Sequence, residues 1–242
     1  MNLELDGKTA LVQEGATVIV NGRTQERVDK AVHASGAAHG IAADLGTEAG
    51  AQAVITSFPA VDILVNNLGI FEAKRFEKIP DEDWRRFFEV NVLSGVRLSR
   101  HYLGLMKQKN WGRIVFISSE SALQIPAEMI HYGMTKTAQL AISRGLAETT
   151  AGTAVTVNAV LPGPTESEGV TGFVDQLAAA RGIDRGAVER EFFDKVRPSS
   201  LLKRFATTKE VADVVAFVCS PRASAINGAA VRADGGVVRS IA

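Results

Sequence analysis

The 242-residue chain carries 27 Lys plus Arg against 27 Asp plus Glu, so its net charge of zero offers no electrostatic case for nucleic acid or an anionic membrane surface, and the partner expected is a small molecule. Its length suits one α/β domain with a sizeable core. A single cysteine, Cys219, excludes an intramolecular disulfide, no stretch approaches 18 apolar residues, and the first residues lack a charged-then-apolar leader pattern; the expected location is the cytoplasm.

Thr9 to Val12 is the first short apolar run rich in β-branched residues, and Thr17 to Val20 is the second. Between them stand only Gln13, Glu14, Gly15 and Ala16. Parallel neighbours need a crossover of about a dozen or more residues, usually a helix. The chain as written is therefore not expected to build that unit. It reads as one from which a loop and helix of roughly 15 to 25 residues have been left out, with a true deletion as the other reading. Helical spacing follows over Glu26 to Ser35 and Thr47 to Ser57, then a strand over Ile63 to Val65 and a long helix over Asp81 to Lys109. Arg113 to Ile117 and Val155 to Val160 are further strands, separated by a helix over Met134 to Thr149.

Residues 166–200 read as a helical lid. Val170, Phe173, Val174 and Leu177 share one apolar face, and Val188, Phe192, Phe193 and Val196 share another, while Asp184, Arg185, Glu189, Arg190, Asp194 and Lys195 form a solvated outer side. Either such a pair covers a site, with Phe173 or Phe192 touching substrate, or it packs for stability alone. A helix over Thr208 to Ser220 closes the pattern, with Cys219 as a packed core thiol. Near-continuous apolar strands are the kind buried on both faces. Their alternation with helices predicts a single α/β domain built on a doubly wound parallel sheet.

In such sheets ligands bind at the carboxyl ends of the strands, where Arg23, Asp44, Asn67, Ser119 and Thr165 fall. Tyr132 and Lys136 lie four residues apart, one helical turn, so a helix puts phenol and ammonium on one face. A cation about 4 Å from the phenol, at an effective dielectric near 20, supplies about 4 kcal/mol, enough to bring a pKa of about 10 toward 7. Ser119 stands thirteen positions before Tyr132, and Asn91 lies in Phe88-Glu-Val-Asn91-Val. Spacing favours Ser119 over its neighbours Ser118 and Ser121. His131 reads as a packing residue beside the tyrosine.

With Asn66-Asn67-Leu68-Gly69 and Pro162-Gly163, these positions resemble the short-chain dehydrogenase/reductase family, whose signature tetrad is Asn, Ser, Tyr and Lys. The resemblance spans almost the whole chain, which is similar to 3-oxoacyl carrier-protein reductases and related ketone reductases. It implies a Rossmann-like oxidoreductase in which Tyr132 is the general acid and Ser119 holds the reacting oxygen. Lys136 lowers the tyrosine pKa and contacts the nicotinamide ribose, and Asn91 supports a proton relay through water. By the same resemblance Asp44 and Leu45 frame the adenine, Asn67 and Gly69 meet the adenine ribose, and Pro162, Gly163 and Thr165, with Ser167, hold the carboxamide. Asn227-Gly228 and Asp234-Gly235-Gly236 resemble the final strand and its turn, a homo-oligomer (tetramer or dimer) is implied, and no metal is.

Two departures from the family stand out. Leu68 replaces the usual alanine, and the glycine-rich phosphate loop G-x-x-x-G-x-G is absent after the first strand. The end of the second strand decides the cofactor. It reads Asn21-Gly22-Arg23-Thr24, with no carboxylate before Glu26, and an arginine there suits a 2′-phosphate. NADP(H) is expected over NAD(H). An NAD-linked alcohol or sugar dehydrogenase, and a non-catalytic relative without the cofactor loop, are the alternatives. The sequence does not name the substrate.

Overall fold

A computed structural model of the chain describes residue 3, residues 9–10 and residues 16–241. Nine strands are assigned among the described residues: β1 Thr9–Ala10, β2 Thr17–Gly22, β3 His39–Ala42, β4 Ile63–Asn66, β5 Gly112–Ile117, β6 Val155–Pro162, β7 Thr165–Glu166, β8 Ala206–Thr207 and β9 Ala230–Ala233. Seven of them form one parallel sheet in the order β3-β2-β1-β4-β5-β6-β9. The order reverses beside β1, so the crevice for a ligand opens at the carboxyl ends of β1 and β4.

β1 and β2 lie side by side and parallel, with Thr9 opposite Thr17 and Ala10 opposite Val18. This corrects the expectation that so short a connection prevents their pairing. The six residues joining them are still too few for a crossover helix, and the Gln13–Ala16 stretch lies, apart from Ala16, outside the described residues.

Eight α-helices are assigned among the described residues: α1 Gln25–Ser35, α2 Glu48–Ser57, α3 Asp81–Phe88, α4 Ser94–Lys109, α5 Ile130–Glu148, α6 Glu168–Arg181, α7 Arg185–Glu191 and α8 Thr208–Cys219. Thr24, Thr47, Ser167, Asp184 and Thr207 cap five of them by accepting a backbone N–H in the first turn. One sheet face is covered by α2, α4 and α5, where Val54, Leu98, Tyr102, Met106 and Ala147 meet Leu64, Ile114, Phe116, Val157 and Leu161. On the other face α8 buries Val215, Val218 and Cys219 against Ile63, Val115 and Val160. Cys219 is a core thiol, as expected, and burial pushes its pKa up to about 12. No helix among the described residues is long and apolar enough to cross a membrane.

The single helix expected over Asp81 to Lys109 is two helices joined by a π-turn at Glu89–Leu93. The wider turn inserts an extra residue into the ladder at Asn91, the kind of defect that re-aims a side chain at functional sites. Gly95 then lets α4 sit close to the sheet, because a Cβ there would come within 2.8 Å of the Phe116 ring.

The lid folds as two helices with their own core, in which Val174, Ala178, Val188, Phe193 and Phe205 are buried and Val170, Leu177 and Phe192 pack against them. Its base is pinned by the small β7–β8 sheet. Val196, expected on the apolar face, is 45% exposed, because a π-turn over Phe192–Val196 carries it off the helical period. The side chain of Phe173 lies outside the described residues.

Candidate active site

A cleft of about 1150 Å³ opens at the carboxyl ends of β4, β5 and β6, under the lid. Its lining brings together Asn67, Gly69, Ser119, Tyr132, Lys136, Pro162, Gly163 and Thr165, residues far apart in sequence. Five expected residues do not line it: Arg23 and Asp44 are exposed near the ends of β2 and β3, Leu45 packs on the hydrophobic core, Asn91 is buried behind the wall, and Ser167 caps α6 by accepting from the Val170 N–H.

β5 ends at Ile117, and the chain turns through Ser118, Ser119, Glu120 and Ser121. Ser118 is used structurally, its hydroxyl donating to the Lys136 carbonyl at 2.9 Å. Ser119 opens a short 3₁₀ turn and accepts from the Ser121 N–H at 3.1 Å. Its own hydroxyl donates to Glu120 Oε2 at 2.6 Å. Of the three serines, Ser119 alone pulls the Tyr132 pKa down, which favours its spacing-based assignment.

α5 begins at Ile130, four residues earlier than the periodicity indicated, so Tyr132 and Lys136 share its first two turns. The ammonium lies 5.7 Å from the tyrosine ring centre. It is aimed elsewhere, donating to the Ile117 carbonyl at 2.8 Å and to Gln139 Oε1 at 3.2 Å. Burial pushes the Lys136 pKa down to about 8. Burial pushes Tyr132 up to about 12, against the downward pull of its Ser119 hydrogen bond; Glu120 adds to the rise and Arg197 opposes it. The expectation that Lys136 brings the phenol toward neutrality is therefore not met in this structure. Desolvation outweighs a cation that is turned toward a carbonyl and an amide.

Asn91, expected in a proton relay, lies buried behind the cleft wall. Its amide clamps the segment after β4 in both directions, donating to the Ile70 carbonyl at 3.0 Å and accepting from the Ile70 N–H at 2.7 Å, and it donates to Thr135 Oγ1 at 3.0 Å. Its own carbonyl accepts from Gln139 Nε2 at 2.6 Å. Gln139 thus links Lys136 to the Asn91 backbone carbonyl.

Gly163 allows a close approach of chain segments. A Cβ there would lie 2.4 Å from the Asp234 carbonyl oxygen, so the segment after β6 can lie against the turn after β9 only with glycine. Thr165 donates back to the Gly163 carbonyl at 2.9 Å. His131 packs as expected: it is fully buried, its ring centre 4.0 Å from that of Phe87, and burial lowers its pKa. Among the described residues no cluster of three His, Cys, Asp or Glu is arranged to hold a metal.

Sequence reasoning missed Glu120, Arg197 and Gln139. Glu120 and Arg197 form a buried ion pair, Nε to Oε1 at 2.9 Å, between the serine turn and the end of the lid. The far wall of the cleft is apolar, with Ile125, Val170, Val174, Leu177 and Phe192 facing it. A signal for Glu120 was present: it is the only charge between Ile114 and Gln124, in a run otherwise bound for the interior.

Comparison with known proteins gives a consistent picture. The family described as Enoyl-(Acyl carrier protein) reductase matches residues 9–238. An uncharacterized oxidoreductase of Bacillus subtilis (strain 168), YvaG, is 47% identical, with all of both chains covered. That alignment runs over 263 positions against 242 residues here, so at least 21 positions have no counterpart in this chain. The 3-oxoacyl-[acyl-carrier-protein] reductase FabG of Aquifex aeolicus (strain VF5) is 31% identical over 98% of this chain and 100% of its own. Among solved structures, L-sorbose reductase from Gluconobacter frateurii, complexed with NADPH and L-sorbose, superposes with a TM-score of 0.91 at 27% identity, covering 100% of both chains.

Proposed function

From the premise that the chain belongs to the short-chain dehydrogenase/reductase family and is an oxidoreductase of that type, we propose that it moves a hydride between NADP(H) and a carbonyl or secondary alcohol of medium, partly apolar size. The observation that carries this reading is the convergence of Ser119, Tyr132 and Lys136 on one cleft whose opposite wall is the apolar lid.

The residues present fit the nicotinamide half of the cofactor. An ammonium has three donors, and Lys136 spends two on Ile117 and Gln139; the third suits a ribose hydroxyl. Pro162, Gly163 and Thr165 would flank it, and Asn67 and Gly69 would meet the adenine ribose. Arg23, exposed after β2, suits a 2′-phosphate, and the NADPH complex of L-sorbose reductase supports that choice.

When bound, the nicotinamide supplies or takes the hydride. The chain's own residues manage the proton and the geometry. In reduction Tyr132, kept as a phenol by burial, donates its proton to the substrate oxygen. Ser119 shares a hydrogen bond with that oxygen and fixes its place. The lid excludes water and presents Val174, Leu177 and Phe192 to the apolar part of the substrate. A cytoplasmic homo-oligomer belongs to the same proposal by analogy with the family.

The pyrophosphate half depends on the connection between β1 and β2. We place there the 21 or more positions of the Bacillus relative that lack a counterpart, which fits a missing loop and helix. An intact mass exceeding that of the 242 residues by such a segment is expected; a matching mass establishes a true deletion. The short connection is the observation that favours a second reading, a relative that holds no cofactor. Titration with NADPH, followed through Trp84 fluorescence, separates the two. Saturable binding stronger than that of NADH supports the proposal, and no binding of either cofactor rejects it.

A further inference from the structure

Phe71 has no part in the roles given above, yet it lines the cleft and is 62% exposed. Its ring stands edge-on to that of Tyr132, at 71° and 6.4 Å between centres. A single exposed apolar side chain needs no explanation on a protein surface. One held open beside the proton donor of a reaction does. The segment that carries it is fixed at both ends: Asn91 holds the N–H and the C=O of Ile70, and the Lys74 N–H donates to the Glu128 carbonyl at 2.8 Å. A ring on an anchored backbone gives up little freedom when a ligand covers it. Phe76 supplies the contrast. It is 61% exposed and edge-on to Trp84, at 76° and 6.4 Å, but it lies outside the cleft lining.

The rest of the lining bears on what covers Phe71. Its buried and half-buried charges are matched within the protein: Glu120 by Arg197 at 2.9 Å, and Glu191 by Arg181 at 2.8 Å and Lys195 at 2.9 Å. A sugar hydroxyl laid against Phe71 loses water and finds no partner in the ring, which disfavours it. An aromatic substituent gives up no hydrogen bond there and meets a ring edge or face. A ketone carbon carries two substituents, and the cleft offers two apolar surfaces from different elements: Phe71 beside Tyr132, and Val174, Leu177 and Phe192 of the lid.

We propose that Phe71 is a specificity-determining residue that receives an aromatic group on the carbon undergoing reduction, so that the substrate class is aryl ketones, or the matching aryl alcohols, rather than sugars. The proposal rests on the oxidoreductase reading given above. By taking one side of the reacting carbon, Phe71 also fixes which substituent faces the lid, and hence which enantiomer of the alcohol forms.

The test compares wild type, Phe71→Ala and Phe76→Ala on three probes, acetophenone, butan-2-one and D-fructose, with NADPH. Wild type is expected to show its highest kcat/KM with acetophenone. In Phe71→Ala that value is expected to fall about tenfold, the effect of losing one such ring contact, through KM rather than kcat. Turnover of butan-2-one and the KM for NADPH stay unchanged, and the enantiomeric excess of the 1-phenylethanol formed drops. Phe76→Ala removes an equally exposed ring outside the cleft and is expected to match wild type on every probe. Equal losses on acetophenone and butan-2-one, an unchanged enantiomeric excess, or a wild type that prefers D-fructose overturns the proposal. A wild type that reduces none of the probes defeats the oxidoreductase reading instead. Calorimetric titration of acetophenone into wild type and Phe71→Ala then decides the proposal, which stands if the variant binds about tenfold more weakly and falls if the two bind alike or neither binds.

Discussion

Asn91→Ala separates a tether from a relay. The side chain is 1% exposed and makes three hydrogen bonds, two to the Ile70 backbone and one to Thr135. Each bond is worth about 1 kcal/mol net, and a buried group left without a partner costs about 1–3 kcal/mol. Thr135 keeps its own donation to the Tyr132 carbonyl at 2.7 Å, and Ile70 is only half-buried, so water can serve its N–H and C=O. The sum is a loss of about 2–4 kcal/mol, which for a chain of this size lowers Tm by roughly 2–4 °C per kcal/mol. Because Asn91 clamps the segment that carries Asn67 and Gly69, NADPH affinity is expected to fall with stability and more than kcat does. Calorimetry and cofactor titration on the same sample check both. A Tm change under about 2 °C, or a large loss of kcat with unchanged cofactor affinity, would falsify the tether and return Asn91 to the chemistry.

Two further outcomes are expected. Lys136→Met probes the buried ammonium through pH. The folded-state pKa of about 8 lies below the model-peptide value of 10.5, so between those values the unfolded chain binds more protons and wild-type stability rises with pH. Wild type should gain roughly 3 kcal/mol on the methionine variant across that window; urea unfolding of both at several pH values reads it, and a difference that does not vary with pH refutes it. Tyr132, raised to about 12, loses its stabilising contribution only above about pH 10 and does so in both proteins, so it cancels from the difference. Arg23→Ala should weaken NADPH at least tenfold and leave NADH unchanged, measured by titration; equal effects on the two cofactors make Arg23 a solvated surface charge.

Much of the fold was legible because both-face burial leaves a plain mark. β4, β5 and β6 are near-continuous apolar runs, and each ends within a residue or two of where the run ends. β3 carried no such mark: His39–Ala42 is an edge strand with largely exposed side chains, so its sequence is not constrained by a core. The π-turn at Asn91 was invisible because one added residue shifts the period without breaking it. In the site, Ser119, Tyr132 and Lys136 were found by local spacing, which a helix and a strand end convert into proximity. Glu120 and Arg197 stand 77 residues apart, and no local period encodes a pair formed only when the lid meets the serine turn. Gln139 was hidden for a different reason. Its helical position is ordinary, and its meaning comes from two partners, Lys136 and the Asn91 carbonyl, that only the folded chain supplies.

The most direct test of the account is NADPH consumption against a panel of ketones of graded apolar size, with wild type and Tyr132→Phe side by side. Consumption by wild type that falls by about a hundredfold or more in the variant, with NADPH binding retained, is the predicted result. NADPH consumption undiminished in Tyr132→Phe, or a wild type that binds NADPH and reduces no carbonyl in the panel, contradicts it.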